Sequence, residues 1–163
     1  MFEISRGTLR MILISGFIAG TIDVGAACLI NSVGPVVILK AIAAGILGPA
    51  SFRGGAAVAA LGLILQWLMS WAIAAVYLVA AGNMPVLRRR WILSGLAYGM
   101  AVFIVMNFIV MPLSAVGHVP TFTVIRFVGN LLAMCLFGLI ISYFTSRAPR
   151  QDPAPPDGRG VAK

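Results

Sequence analysis

The sequence predicts an all-α polytopic membrane protein: a four-transmembrane-helix bundle with a short interfacial or re-entrant helix after the first span. Three observations carry that prediction. Of the 163 residues, 61% are hydrophobic and 10% charged, with a mean hydropathy of +1.04, whereas a soluble domain carries about 25% charge and about 45–50% apolar residues. The apolar residues fall in four blocks long enough to cross a hydrocarbon core of about 30 Å. The basic residues gather at the block ends and in the tails. The net charge of +8 therefore reads as a topology signal and as contact with membrane lipid headgroups, and nucleic acid is not a predicted partner.

Residues 1–10 form an N-terminal segment, 11–146 the transmembrane domain, and 147–163 a tail. The first span, Met11 to Ile30, is interrupted only by Asp23; the second, Ala56 to Ala81, and the third, Trp91 to Met111, contain no charge. The fourth, Phe127 to Phe144, becomes a full span of about 121–144 when Thr121 to Arg126 extends it. Between the first two spans, Pro35 to Leu47 is apolar except for Lys40, starts with proline at a favourable first helical position and ends at Gly48-Pro49. Thirteen residues reach only about 20 Å as a helix, which is too short to cross.

Orientation follows from the basic residues. Arg6, Arg10, Arg88, Arg89, Arg90, Arg147, Arg150, Arg159 and Lys163 fall on one side, and Lys40, Arg53 and Arg126 on the other. The nine-to-three ratio places both termini in the cytoplasm and brings Trp91 and Tyr143 to the cytoplasmic interface, where amphipathic aromatics are favoured. A competing reading of the start is a cleaved signal peptide, with Arg6 and Arg10, an apolar run and Gly25-Ala26-Ala27 as cleavage site. The run is longer than the usual h-region of about 7–15 residues and contains an acid. The tail has four prolines, two glycines and no apolar periodicity, the composition of a disordered basic segment.

Polar side chains inside the spans are few: Asp23, Gln66, Asn107, Asn130 and, at the edge, Arg126. Counted at 1.5 Å per residue, the first four fall in the outer half of the membrane, one per span. Helical spacing puts Asp23 on a face with Gly16, Ala19, Gly20 and Ala27. Gln66 shares one with Ala59, Gly62, Ser70 and Ala74, and Asn130 one with Thr123, Arg126 and Ala133; Asn107 lies beside Met100 and Phe103. Gly16 with Gly20 and Gly95 with Gly99 have the small-xxx-small spacing of packed transmembrane interfaces. The amides read as interhelical hydrogen-bonding groups. Asp23 needs protonation, a wet cavity or a cation. Three arrangements stay open: an ion pair with Arg126, a proton or cation site, or a hydrated acid near the outer interface while Arg126 snorkels away.

Other signals point away from catalysis. Trp67 and Trp71, one turn apart, make a packing or lipid-facing stripe, and His118 lies in a loop with Pro112 and Pro120. One histidine and two separated cysteines, Cys28 and Cys135, within apolar blocks, supply neither a metal site, a bis-His haem nor a disulfide framework. No phosphate loop, G-x-S-x-G or H-E-x-x-H occurs, and no cofactor is expected.

Gly20 and Thr21, the stretch Gln66-Trp67-Leu68-Met69-Ser70 through Tyr77, the run Asn107 to Pro112-Leu113, and Gly129-Asn130-Leu131 resemble the YagU-like family of uncharacterised bacterial inner-membrane proteins. That resemblance implies an inner-membrane location and a multi-pass architecture. In the family, histidine tends to stand where this chain has Gln66, Asn107 and Asn130, so the amides keep hydrogen bonding and lose titration near neutral pH. The resemblance carries no biochemical activity. The functional expectation is a non-enzymatic protein whose polar layer and small-residue faces organise packing within the bundle or against a partner; the partners expected are membrane lipid and either a second copy (a homo-oligomer) or another membrane protein. The alternative is a small oligomeric transporter or channel with Asp23 as a proton or cation site.

Overall fold

The computed structural model describes residues 6–118 and 123–148. Among the described residues it is all-helical: α1 (Arg6–Asn31), α2 (Pro35–Leu47), a 3₁₀ turn (Gly48–Arg53), α3 (Ala56–Asn83), α4 (Pro85–Arg89), α5 (Trp91–Val105), a π-helical turn (Met106–Val110), α6 (Met111–Leu113) and α7 (Val124–Ser146). The predicted fourth-span residues Thr121 and Phe122, and the tail from residue 149 on, lie outside the described residues.

Local chemistry sets the boundaries. Pro35 opens α2 after Gly34, where its missing N–H costs nothing. Gly48, at φ 65°, ends α2 in the left-handed region that a side chain disfavours, and its N–H returns to the Ala44 carbonyl. Pro85 and Met84 end α3. The third apolar block is not one uniform α-helix, because Met106–Val110 widens into a π turn immediately before Pro112. Pro112 has no N–H for the carbonyl four residues back and its ring crowds that carbonyl, which a wider turn relieves.

Close approaches define how the helices run. Trp71 Nε1 donates to Leu13 O at 3.2 Å. Gly16 faces Ser70 and Trp71, Gly20 faces Ser70, and Gln66 reaches Asp23. Moving forward along α1 means moving backward along α3, so the two are antiparallel. Asn31 ends α1 eight residues beyond Asp23, and Ala56 starts α3 ten residues before Gln66. The end of α1 and the start of α3 thus lie at the same end of the bundle. Segment 32–55, which includes α2, leaves and returns at that end. Leu39 of α2 packs its backbone on Gly62 of α3, and Ala115 N donates to Gly45 O at 2.9 Å.

The other pairings follow the same logic. Gly95 faces Gly138, Leu139 and Ser142, and Gly99 faces Met134 and Cys135, so α5 and α7 are antiparallel. Ile30 lies against Gly129, while Ile18, a dozen residues earlier, lies near Leu139, Ile140 and Tyr143, which makes α7 antiparallel to α1. Ile12, Ala19, Ala74, Tyr77, Ala81, Phe137 and Ile141 form the core, in the half of the bundle nearer Arg88–Arg90. Arg10, Arg88, Arg89, Arg90 and Arg147 stand at that end; Arg126, Arg53 and the α2 residue Lys40 belong to the opposite half. Five helical stretches are long and apolar enough to cross a membrane: Gly7–Asn31, Pro35–Arg53, Ala56–Asn83, Trp91–Leu113 and Val124–Ser146. The second reaches that length only when the 3₁₀ turn is counted with α2.

Candidate functional site

The predicted polar residues do not converge as one layer. Asp23 and Gln66 meet across α1 and α3: Gln66 Nε2 donates to Asp23 Oδ2 at 2.9 Å and lies 3.3 Å from Gly20 O. Two features of the sequence make that contact. Ala59, Gly62, Gln66, Ser70, Ala74, Tyr77 and Ala81 form one buried stripe on α3, spaced by three and four residues so that one side of the helix carries them all. Opposite, Gly20 lacks the Cβ that would strike Ser70 Oγ, so α1 comes close enough for a glutamine to bridge to its backbone and to Asp23.

The two tryptophans flank this pair. Trp71 donates to the α1 backbone as described, and Trp67 Nε1 lies 3.4 Å from Thr21 Oγ1, which itself donates to Phe17 O at 2.7 Å. The Phe17 and Trp67 rings stand 5.0 Å apart. The stripe expected to pack or face lipid is a clamp on α1.

Arg126 does not reach Asp23. It is exposed, and Asp23 forms no ion pair among the described residues. The register explains why: Gly129 lies beside Ile30, which sets Arg126 beyond the last turn of α1 and Asp23 roughly 15 Å deeper. Depth counted from the ends of the apolar blocks alone puts the two within about 7 Å; the stagger of α1 and α7 doubles it. Asn130 lies near Ile30 for the same reason, about 10 Å from the level of Asp23. It is half-buried and makes no side-chain hydrogen bond to a described residue. Its predicted face is not a core face, since the buried residues of α7 are Phe137, Gly138, Ile141, Ser142 and Thr145, all in the second half. Asn107 is buried in the π turn, where its Nδ2 donates to Phe103 O at 2.8 Å in its own helix. It satisfies backbone within one helix rather than linking two.

At the opposite end, Arg89 and Arg90 are exposed. Arg88 turns inward: its Nη1 donates to Ala148 O at 3.3 Å, tying the α4 turn to the end of α7, while its buried Nε has no partner among the described residues.

Sequence reasoning missed a second polar junction. Tyr77 Oη and Ser142 Oγ are 2.8 Å apart, Ser142 Oγ donates to Trp91 O at 2.6 Å, and Tyr98 Oη donates to Ile73 O at 2.7 Å. The Tyr77 and Tyr98 rings meet at a tilt, with centroids 4.8 Å apart. One hydroxyl cluster thus joins α3, α5 and α7. Its only sequence signal was the position of Tyr77 on the Gln66 stripe, two steps beyond Ser70.

His118 is exposed, with Nδ1 2.9 Å from Val116 O, and Cys28 and Cys135 are free thiols. Among the described residues no three of His, Cys, Asp and Glu gather. The geometry offers one intramembrane carboxyl group held by an amide. Glutamine donates to a carboxylate and both donates to and accepts from a carboxylic acid, so the pair is compatible with either state of Asp23. No family profile, curated protein or solved structure matches the chain.

Proposed function

We propose that this chain is a multi-pass protein of a bacterial inner membrane with four crossings, α2 forming a re-entrant or interfacial helix, and both termini cytoplasmic. The antiparallel register of α1 and α3 supports four crossings, because a single passage of segment 32–55 would leave its ends on opposite faces. The cluster of Arg10, Arg88–Arg90 and Arg147 at one end supports the orientation, and the YagU-like resemblance supports the location. Single cysteines at Arg53 and Arg89 in a background lacking Cys28 and Cys135 test the topology: an impermeant maleimide added outside intact spheroplasts labels the first and not the second.

The role we infer is non-enzymatic: a membrane protein that organises a partner. One observation carries it. The first turn of α7 is open, with Val124 and Ile125 82% and 81% exposed, and Asn130, further along the same helix, is half-buried with no hydrogen-bond partner among the described residues. An unbonded amide in hydrocarbon is costly, and a helix from another chain that bonds it gains up to about 1–2 kcal/mol. Native mass spectrometry of the protein extracted in lipid discs tests this. A second polypeptide at fixed stoichiometry, lost in Asn130→Leu, is the expected result; a monomer or a homo-oligomer alone overturns it.

A second reading, a small oligomeric transporter or channel, is favoured by Asp23 having an amide and, among the described residues, no cation beside it. In proteoliposomes this reading requires a proton or cation flux that Asp23→Asn abolishes while leaving the fold intact.

A further inference from the structure

The end of the bundle that carries Arg88–Arg90 has a feature of its own. A groove of ≈ 420 Å³ runs between α1, α5 and α7, lined by Ile18, Trp91, Ile92, Ile140, Tyr143 and Phe144 among others. Every residue named is apolar or aromatic. Ile18 lies eight residues past Arg10, about 12 Å along α1, so the groove starts beneath the basic end and reaches most of one leaflet's depth.

Its mouth is cationic. The Arg147 guanidinium sits 5.3 Å from the centroid of the Tyr143 ring, which in turn meets Trp91 edge-on at 5.5 Å. Arg90, exposed, directly precedes Trp91. Arg10, Arg88 and Arg89 stand at the same end, and no acidic residue among the described ones shares it. A cation held on an aromatic face above an apolar slot has the layout of an amphiphile: charge at the headgroup level, aromatic belt below it, hydrocarbon beneath.

We propose that this groove holds the upper part of an acyl chain of an anionic phospholipid whose phosphate is met by Arg147 and Arg90. Charge complementarity chooses the occupant, since a zwitterionic lipid brings its own cation to a mouth that already has several. Arg147, stacked on Tyr143, is placed for the headgroup without further ordering, and guanidinium matches phosphate with paired N–H donors. The inference rests on the reading of the bundle as membrane-embedded.

The test uses the full chain purified in neutral detergent and exchanged against phosphatidylglycerol or phosphatidylcholine of identical acyl chains, with bound lipid counted by native mass spectrometry. The expected result is one phosphatidylglycerol retained per chain in preference to phosphatidylcholine. Arg147→Gln lowers phosphatidylglycerol retention about five-fold, the weight of one cation near an anionic surface, and leaves phosphatidylcholine unchanged. Ile92→Trp, at a half-exposed position that fills the slot, lowers retention of both lipids, with circular dichroism confirming an unchanged fold. Equal retention of the two lipids, or indifference to Arg147→Gln, overturns the groove assignment alone. A dimer dissociated by Ile92→Trp overturns it by naming a second copy as the occupant. A chain that stays dispersed without detergent and retains no lipid overturns the membrane reading as well.

Discussion

The contact between α5 and α7 is held at backbone distance, and one added methyl measures how much the fold depends on that. A Cβ on Gly99 would strike Met134 O, with Cys135 Cα 2.7 Å and Met134 C 2.9 Å away; these are backbone atoms of the facing helix, which cannot turn aside as a side chain can. The helices must separate by about 1 Å to restore ordinary contact. At Gly95 the same methyl meets Gly138 O, Leu139 Cα and Ser142 Cβ, each at 3.0 Å, so a displacement of a few tenths of an ångström suffices. At Gly25, in α1, nothing lies within 4 Å. Overpacking costs about 1–3 kcal/mol, and replacing glycine by alanine in a helix returns about 0.5–1 kcal/mol. Gly99→Ala is then expected to lose about 1–2 kcal/mol, Gly95→Ala less than about 1 kcal/mol, and Gly25→Ala to hold or gain. Separation at Gly99 also strains the Ser142 bond to Trp91 O two turns away, which brings that variant to the upper end. The assay is reversible unfolding in mixed micelles of a structured detergent and dodecyl sulfate, followed by tryptophan fluorescence and circular dichroism. A Gly99→Ala variant as stable as the parent, or a Gly25→Ala variant as damaged as Gly99→Ala, would refute the reasoning.

Two further predictions concern the polar junctions. In a double-mutant cycle, Asp23→Asn and Gln66→Leu are expected to couple by about 0.6 kcal/mol and at most about 1.7 kcal/mol, while Arg126→Ala shifts stability by less than about 0.5 kcal/mol and does not couple to Asp23; coupling between Asp23 and Arg126 in the same unfolding assay would restore the ion pair that the register excludes. Tyr77→Phe removes one partner from the buried hydroxyl pair and is expected to cost about 1 kcal/mol, and Tyr77→Phe with Ser142→Ala less than the sum of the two single changes; strict additivity would show that the two hydroxyls do not act together.

Much of this architecture was legible in one dimension, for reasons tied to particular residues. Four long apolar blocks appear as α1, α3, α5 with its continuation to Leu113, and α7, because a backbone in hydrocarbon must satisfy its own hydrogen bonds and a long apolar run leaves it the helix. The start of α2 at Pro35 and its end at Gly48 followed from one residue without an N–H and one without a Cβ. The buried stripe through Ala59, Gly62, Gln66, Ser70 and Ala74 followed from helical spacing, and the close approaches at Gly16, Gly20, Gly95 and Gly99 from small-residue repeats. Each of these is a property of one helix.

What the sequence left open belongs to pairs of helices. The axial stagger of α1 against α7 separates Asp23 from Arg126, and the stagger of α1 against α3 gives Asp23 to Gln66 instead; no single-chain periodicity encodes an offset between two cylinders, which is set by where the glycines of one meet the backbone of the other. The partner of Tyr77 was hidden for the same reason, since Ser142 lies 65 residues away. Asn107 turned to its own helix, donating to Phe103 O four residues back as Asn31 does to Ala27 O, and helical spacing does not choose between that carbonyl and a partner on another helix. The sequence by itself determined that the chain is helical and apolar enough for a membrane, where α2 begins and ends, where α3 begins, and which face of α3 is buried. The tertiary structure decided which polar groups meet, because a hydrogen bond requires two atoms within about 3 Å while helical spacing fixes depth only to within a turn.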